Sequence, residues 1–442
     1  MSALTDLLLQ GPRPAPELRQ HLNVSQATFS RLAAAEAQIV QFGKARATRY
    51  ALLRPVRGIS EFPLWQIDSD GKAWKFGVLY PCWPRGSCLV ALNNGEWQWF
   101  DGLPWYLNDL RPQGFLGRAW GRRLAAQLVL PEDIRLWQED DILYALSLFS
   151  GENQGGWLIG ESGYQQWLQN AEPTPITETD KLRAYAGLAR NALAGEIVGS
   201  SAGGEQPKFT CLSMVGEKPV QMLVKFTAPQ PGIVTQRWAD LLIAESIALE
   251  VLSHAGIAAS QAQVLQTESG QVFLESRRFD CQGLVGRKAI VSLDVVQSEF
   301  AAAVGPWPQA VAELAKQKQV THETARTVEN VWAFGRLIAN SDMHAGNLSF
   351  YLSDAPLVLT PVYDMLPMAF APTSAGAMRD ESVALKVEPL VNREAWIFAY
   401  EQAHVFWHRV AEEPRISAAF RALANEMQMQ LLSVEPVIAR LA

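Results

Sequence analysis

The feature that most constrains this chain is the stretch Ala339-Asn340-Ser341-Asp342-Met343-His344-Ala345-Gly346-Asn347, followed after a short apolar segment by Val362-Tyr363-Asp364. Asp342 and Asn347 stand at D-x-x-x-x-N spacing, and Asp364 adds a third oxygen donor. Phosphoryl transfer is limited by positioning and charge neutralisation. It needs one carboxylate at the acceptor hydroxyl and two hard oxygen ligands on Mg²⁺, and this stretch supplies that minimum. Taken alone, the loop also fits Asp and Asn side chains that merely satisfy backbone groups in a turn.

The order of the upstream parts adds weight. Gln221-Met222-Leu223-Val224-Lys225-Phe226 is an apolar, strand-like run that ends by presenting a lysine, as a strand does when it offers an ammonium to nucleotide phosphates. Before it, Gly199 to Lys208 is a small-residue loop whose backbone N–H groups can approach phosphate oxygens closely. A plain glycine-rich hairpin is the alternative reading of that loop.

In this combination the chain resembles the HipA-like serine/threonine kinases of bacterial toxin–antitoxin systems. The residues that carry the likeness are Ser201-Ala-Gly-Gly-Glu-Gln-Pro-Lys208, Leu223-Val-Lys225-Phe, Arg278-Phe279-Asp280, Asn340-Ser-Asp342-Met-His344-Ala-Gly-Asn347 and Pro361-Val-Tyr-Asp364, within a span from about Phe100 to near the C-terminus. The resemblance implies a two-lobed, protein-kinase-like α+β body that uses ATP and Mg²⁺. By the same resemblance Asp342 is the catalytic base, and Asn347 and Asp364 hold the metal. Ser201, Gly203, Gly204, Gln206, Lys208, Lys225 and His344 belong to the nucleotide site, with Lys225 on the phosphates and His344 orienting Asp342 or the loop backbone; Ser276, Arg277 and Phe279 flank the adenine, and Ser201 is a site of autophosphorylation. The family commonly has Lys where this chain has Gly346.

The N-terminus lies outside the usual family pattern. Ser2 to Leu9, Pro16 to Leu22 and a segment from Ser25 to about Ala35 read as helices, with Ser25 as an N-cap. Strand-like Gln38 to Phe42 and Thr48 to Leu52 flank the basic turn Gly43-Lys44-Ala45-Arg46, so the whole resembles a winged helix-turn-helix. Through Arg57 this piece holds eight Lys or Arg against three Asp or Glu, a net of +5 in a chain of net charge −7. Such an asymmetry is a phosphate-binding footprint. Ser25, Gln26, Thr28, Ser30 and Arg31 on the third helix, with Lys44, Arg46 and Arg49 around the turn, are the expected DNA contacts. Protein docking or dimerisation is the competing use of the same module.

No run of about twenty apolar residues and no basic leader are visible, so the expectation is a cytoplasmic protein without a membrane segment. Cys82, Cys88, Cys211 and Cys281 form no C-x-x-C pair and read as reduced structural thiols. The Trp-rich segment from Phe62 to about Leu128 reads as a packed β-subdomain rather than a base-stacking platform. Either Glu245 or Glu250 is placed to pair with Lys225, with Glu245 preferred. His404 and His408 stand at i,i+4 without an evident third zinc ligand.

The expected organisation is a winged helix over 1–57, a β-rich subdomain over 58–175, an ATP-binding lobe over 176–285 and a helical catalytic lobe over 286–442. The expected activity is transfer of the ATP γ-phosphate to a Ser or Thr of a cellular protein, with DNA and an antitoxin as further partners. Two alternatives are a DNA-bound regulator with an inactive kinase-like body, and an Mg²⁺-dependent DNase.

Overall fold

The computed structural model describes residues 2–148, 154–169, 173–195, 206–301, 304–373, 375–378 and 383–441. These residues form two compact units, one up to 169 and one from Pro173 onward.

The first unit opens with α1 (Ala3–Leu8), β1 (Arg13–Pro14), α2 (Ala15–Leu22), α3 (Gln26–Ala35), β2 (Ile39–Phe42) and β3 (Arg49–Leu52). The caps follow the sequence: Ser2 and Ser25 each accept a backbone N–H three residues on, and α2 ends at Asn23 in the left-handed region (φ 52°). The strands pair antiparallel in the order β1-β3-β2, and Leu4, Leu8, Leu18, Phe29, Tyr50 and Leu52 form the core. Arg31, Lys44, Arg46 and Arg49 are exposed and have no ion-pair partner among the described residues. Three other cations counted in the basic footprint are engaged internally: Arg13 with Glu17, Arg54 with Asp140 and Arg57 with Asp141.

The same unit continues through β4 (Phe62–Ile67), β5 (Ala73–Pro81), β6 (Cys88–Leu92), β7 (Trp97–Phe100), α4 (Gly114–Leu128), α5 (Glu139–Leu148), β8 (Trp157–Ile159) and α6 (Gly160–Gln169). Its antiparallel sheet runs β7-β6-β5-β4-β8. The tryptophans pack as structure: Trp65 stacks on Tyr164 at 4.4 Å, and Trp97 and Trp99 cover Phe42 of β2. The chain passes from β3 into this sheet with no free linker. Leu53 bridges Cys82, the Trp83 N–H donates to the Leu52 carbonyl, and both Arg54 Nη atoms lie 2.7 Å from Asp140.

The second unit begins with α7 (Lys181–Leu193), β9 (Lys208–Val215), β10 (Lys218–Phe226), α8 (Ile233–His254), β11 (Ala262–Gln266) and β12 (Val272–Arg277), which give an antiparallel sheet β11-β12-β10-β9. Helix α8 is apolar on nearly every face and is buried accordingly. On the sheet, Glu275 is buried and accepts from Lys181 at 2.9 Å and from Tyr185 at 2.7 Å, which fastens α7 by a fully hydrogen-bonded ionic cluster. The small pair β13 (Cys281–Gln282) and β14 (Gly286–Arg287) leads to β15 (Ile290–Ser292), α9 (Leu293–Phe300), α10 (Trp307–Lys316) and α11 (His322–Leu337). Then come β16 (Ser349–Tyr351), β17 (Val358–Leu359), α12 (Arg393–Glu412) and α13 (Ala418–Ile438). Helices α11, α12 and α13 enclose Trp396, Trp407, Phe406 and Phe420, all fully buried. Among the described residues no helix is long and apolar enough to cross a membrane.

Candidate active site

Strand β10 places Lys225 opposite Lys208 of β9 and Leu274 of β12. The Lys225 ammonium is buried and donates to Glu245 of α8 at 2.6 and 2.8 Å, and also to Oδ1 of Asp364. Of the two glutamates, Glu245 faces inward, whereas Glu250 pairs with Arg409 at the surface. Burial alone disfavours every charge here, and the partners offset it to different extents. Burial raises the Glu245 carboxyl despite Lys225. Asp364 is also penalised by burial, but the Lys225 and Lys208 charges outweigh this and hold its carboxyl below the usual range. For Lys225, burial opposes the charge and the two carboxylates more than restore it, so its ammonium is stabilised.

The loop carrying Asp342 is set by the exit of α11. The Asn340 N–H bonds the Gly335 carbonyl at 2.8 Å and the Ala339 N–H bonds Arg336 at 3.3 Å, with Ala339 in the left-handed region (φ 59°), which is a Schellman termination without glycine. Asn340 then braces both carboxylate segments: its Oδ1 accepts from the Asp342 N–H at 3.0 Å and its Nδ2 donates to the Asp364 carbonyl at 3.4 Å. Asn347 donates Nδ2 to the Asp342 carbonyl at 2.8 Å, which holds the two ends of the loop together. Trp307 donates to the His344 carbonyl at 3.0 Å, and Tyr363 donates to the Gly346 carbonyl at 3.0 Å. Asp364 itself is left-handed, φ 52°, a second backbone cost at the site. The Asp342 carboxyl is raised by burial and by Asp364, against the opposing pull of His344 and Lys225.

Gly346 has a local reason. Its N–H donates to His344 Nδ1 at 3.1 Å, and a Cβ at that position would meet the His344 ring at 3.0 Å. The imidazole occupies the space into which a side chain at 346 would start.

The remaining expected residues fall as follows. Ser276 and Arg277 end β12 opposite Leu223 and Met222, and the Phe279 ring lies 5.6 Å from that of Tyr363, so this strand end sits at the same edge as Asp364. Lys208 is buried close enough to both Glu245 and Asp364 to act on their ionisation. Among the described residues the buried Gln206 amide nitrogen has no hydrogen-bond partner. Ser201, Gly203 and Gly204 lie outside the described residues. Asn340 and Tyr363 stand inside the motifs read from the sequence but had no role assigned there, and Trp307 gave no signal. Among the described residues no group of three or more His, Cys, Asp or Glu could hold a metal, and His408 instead sits 3.4 Å from Glu412.

Known proteins match along the chain. A model of the HipA-like C-terminal domain matches residues 200–431, and a model of the YjjJ-like toxin middle domain matches residues 59–168. The chain is 60% identical over 441 residues to Toxin YjjJ of Escherichia coli (strain K12), with both chains covered in full. It is similar in fold to a chain of the Shewanella oneidensis MR-1 complex of HipA, HipB and operator DNA, with a TM-score of 0.50 at 13% identity over 84% of this chain and 96% of that one. A looser likeness, TM-score 0.37 at 11% identity over 54% of this chain and 92% of that one, is to the Helicobacter pylori proinflammatory kinase CtkA. The chain belongs to the HipA-like family, as a homologue of the YjjJ toxins.

Proposed function

We propose that this chain is a toxin kinase that transfers the γ-phosphate of ATP to a Ser or Thr hydroxyl of a cellular protein. The observation that carries the reading is the buried Lys225–Glu245 pair joined to Asp364, with Asn340 tying Asp364 to the Asp342 loop. A body kept only as a scaffold has no use for buried charges that cost folding energy. Lys225 and Lys208 position phosphate oxygens, and the Gln206 amide suits the same group. Asp342 receives the acceptor proton, its raised carboxyl bringing it closer to the operating pH of a base. Oδ1 of Asn347 and the second oxygen of Asp364 would hold Mg²⁺, which supplies charge neutralisation on the phosphates. Incubation with γ-labelled ATP tests this: wild type should label protein and Asp342→Asn should not. Absence of label from wild type, or nicking of plasmid DNA that needs Asp342, overturns it.

The exposed Arg31, Lys44, Arg46 and Arg49, on a helix and a basic turn in the winged-helix order, support DNA binding by the N-terminal module. An antitoxin partner is in keeping with the toxin relatives.

A further inference from the structure

Helix α3 and its cap carry five polar side chains, Ser25, Gln26, Thr28, Ser30 and Arg31, and three of them are committed within the helix. Ser25 Oγ accepts from the Thr28 N–H at 3.2 Å and lies 3.0 Å from the Thr28 hydroxyl, so these two close the first turn on itself. Ser30 Oγ accepts from Gln26 Nε2 at 3.3 Å, and Arg19 of α2 donates through Nη1 to Gln26 Oε1 at 2.9 Å. The Gln26 amide is therefore held at both ends although its side chain is exposed. Arginine only donates, so the end of the amide that meets Arg19 is the oxygen, and the orientation of the group is fixed. An amide has two acceptor positions and two N–H donors; Arg19 takes one of the first and Ser30 receives one of the second. One acceptor and one donor are left side by side. The helix surface around them is low, with Ala27 and Ala34 exposed, and Arg31 is the other long polar side chain there.

A fixed donor–acceptor pair matches the major-groove edge of adenine, which offers N7 as acceptor and the N6 amino group as donor. Guanine offers two acceptors on that edge, and cytosine and thymine one polar group each, so every other base leaves half of the amide unmatched. We infer that α3 lies in a major groove with Gln26 reading one adenine, and that Arg19 is the positioning residue that holds the amide for it. This rests on the DNA-binding reading of the N-terminal module, whose exposed Arg31, Lys44, Arg46 and Arg49 suit phosphates of any sequence. Gln26 adds the choice of base. A preset amide gives up little side-chain freedom on binding, so the preference for A·T over the other pairs at that position should be about tenfold.

The test uses full-length protein to select from a pool of duplexes with a randomised central stretch, and the bound fraction is sequenced. Wild type should return a fixed adenine, and Gln26→Ala should flatten that position alone. The contact itself is read by fluorescence anisotropy on the selected duplex and on the same duplex with 7-deazaadenine at that position, which keeps base pairing and the N6 amino group but lacks N7. The replacement should weaken wild type about fivefold and Gln26→Ala not at all. Arg19→Ala should shrink both the adenine preference and the 7-deaza penalty; a loss spread evenly over all sequences takes the positioning role from Arg19. Duplex binding without a selected adenine, an adenine preference that survives Gln26→Ala, or a 7-deaza penalty equal in both proteins overturns the inference and leaves DNA binding standing. No duplex bound by wild type even at low salt overturns both and returns this face of α3 to protein docking.

Discussion

Lys225→Met leaves Glu245 buried without its closest counter-charge and sets two carboxylates, Glu245 and Asp364, near each other. Removing one partner of a buried pair costs about 3–5 kcal/mol. Lys208 still acts on both carboxylates, so the lower end applies, about 3 kcal/mol, or a fall in Tm of about 6–12 °C for the unit that contains the pair. The cost should depend on pH in a defined direction. Burial already raises the Glu245 carboxyl above its unfolded value, and loss of Lys225 raises it further. The folded state then binds the proton more tightly than the unfolded one. The variant is therefore nearest to wild type in acid, and its stability falls as pH rises from the unfolded Glu value, about 4.3, toward the raised folded one. Urea unfolding of the full chain at pH 5 and pH 7.5 measures this. The double variant Lys225→Met/Glu245→Leu should recover most of the loss, since a well-packed apolar pair can replace an ionic one. A deficit equal at both pH values, or a double variant no better than the single, refutes the account of the site as a coupled charge cluster.

Other expected outcomes follow from single features. In His344→Ala the influence that lowers the Asp342 carboxyl is removed, so the acid limb of the pH–rate profile should move to higher pH; a shift the other way excludes Asp342 as the group seen. Ala339→Gly relieves a left-handed backbone at the exit of α11 and should stabilise by about 1 kcal/mol in urea, because this conformation costs an L-residue about that much. Duplex binding by the full chain should weaken steeply with salt, and Ala at Lys44, Arg46 and Arg49 together should flatten the log–log slope by about 2.7, read by titration at several salt concentrations. Ser201 should carry phosphate after incubation of wild type with Mg·ATP and not in Asp342→Asn, as mass spectrometry of the two would show.

The candidate site could be picked out in the sequence because its parts are short linear spacings, Asp342 to Asn347, Asp364 soon after and Lys225 at a strand end, and the fold brings Lys225 onto Asp364. Local caps were equally readable, Ser25 and Ser2 among them, since an N-cap is a three-residue interaction. What sequence could not separate were choices made across the chain. Glu245 and Glu250 lie five apart on one helix and face nearly opposite ways, and only the position of Lys225 on β10 and of Arg409 on α12 decides which is buried. The basic footprint was overcounted for the same reason, because the Arg54 partner Asp140 is 86 residues away. The ion pair of Arg336 with Glu388, 52 residues apart, gave no signal at all.

The way β3 runs into the five-stranded sheet has a mechanical consequence. With Leu53 bridged to Cys82, Phe42 stacked over Trp99 at 6.5 Å and Arg54 clamped to Asp140, the exposed surface formed by α3 and the Lys44–Arg49 turn has no swivel. A duplex gripped there would meet the β-rich body in one pose only. For two copies bound side by side, the separation of their half-sites would then be set by the surface of that body rather than by a tether. Lengthening the chain after Leu53 would break a shared core instead of loosening a hinge.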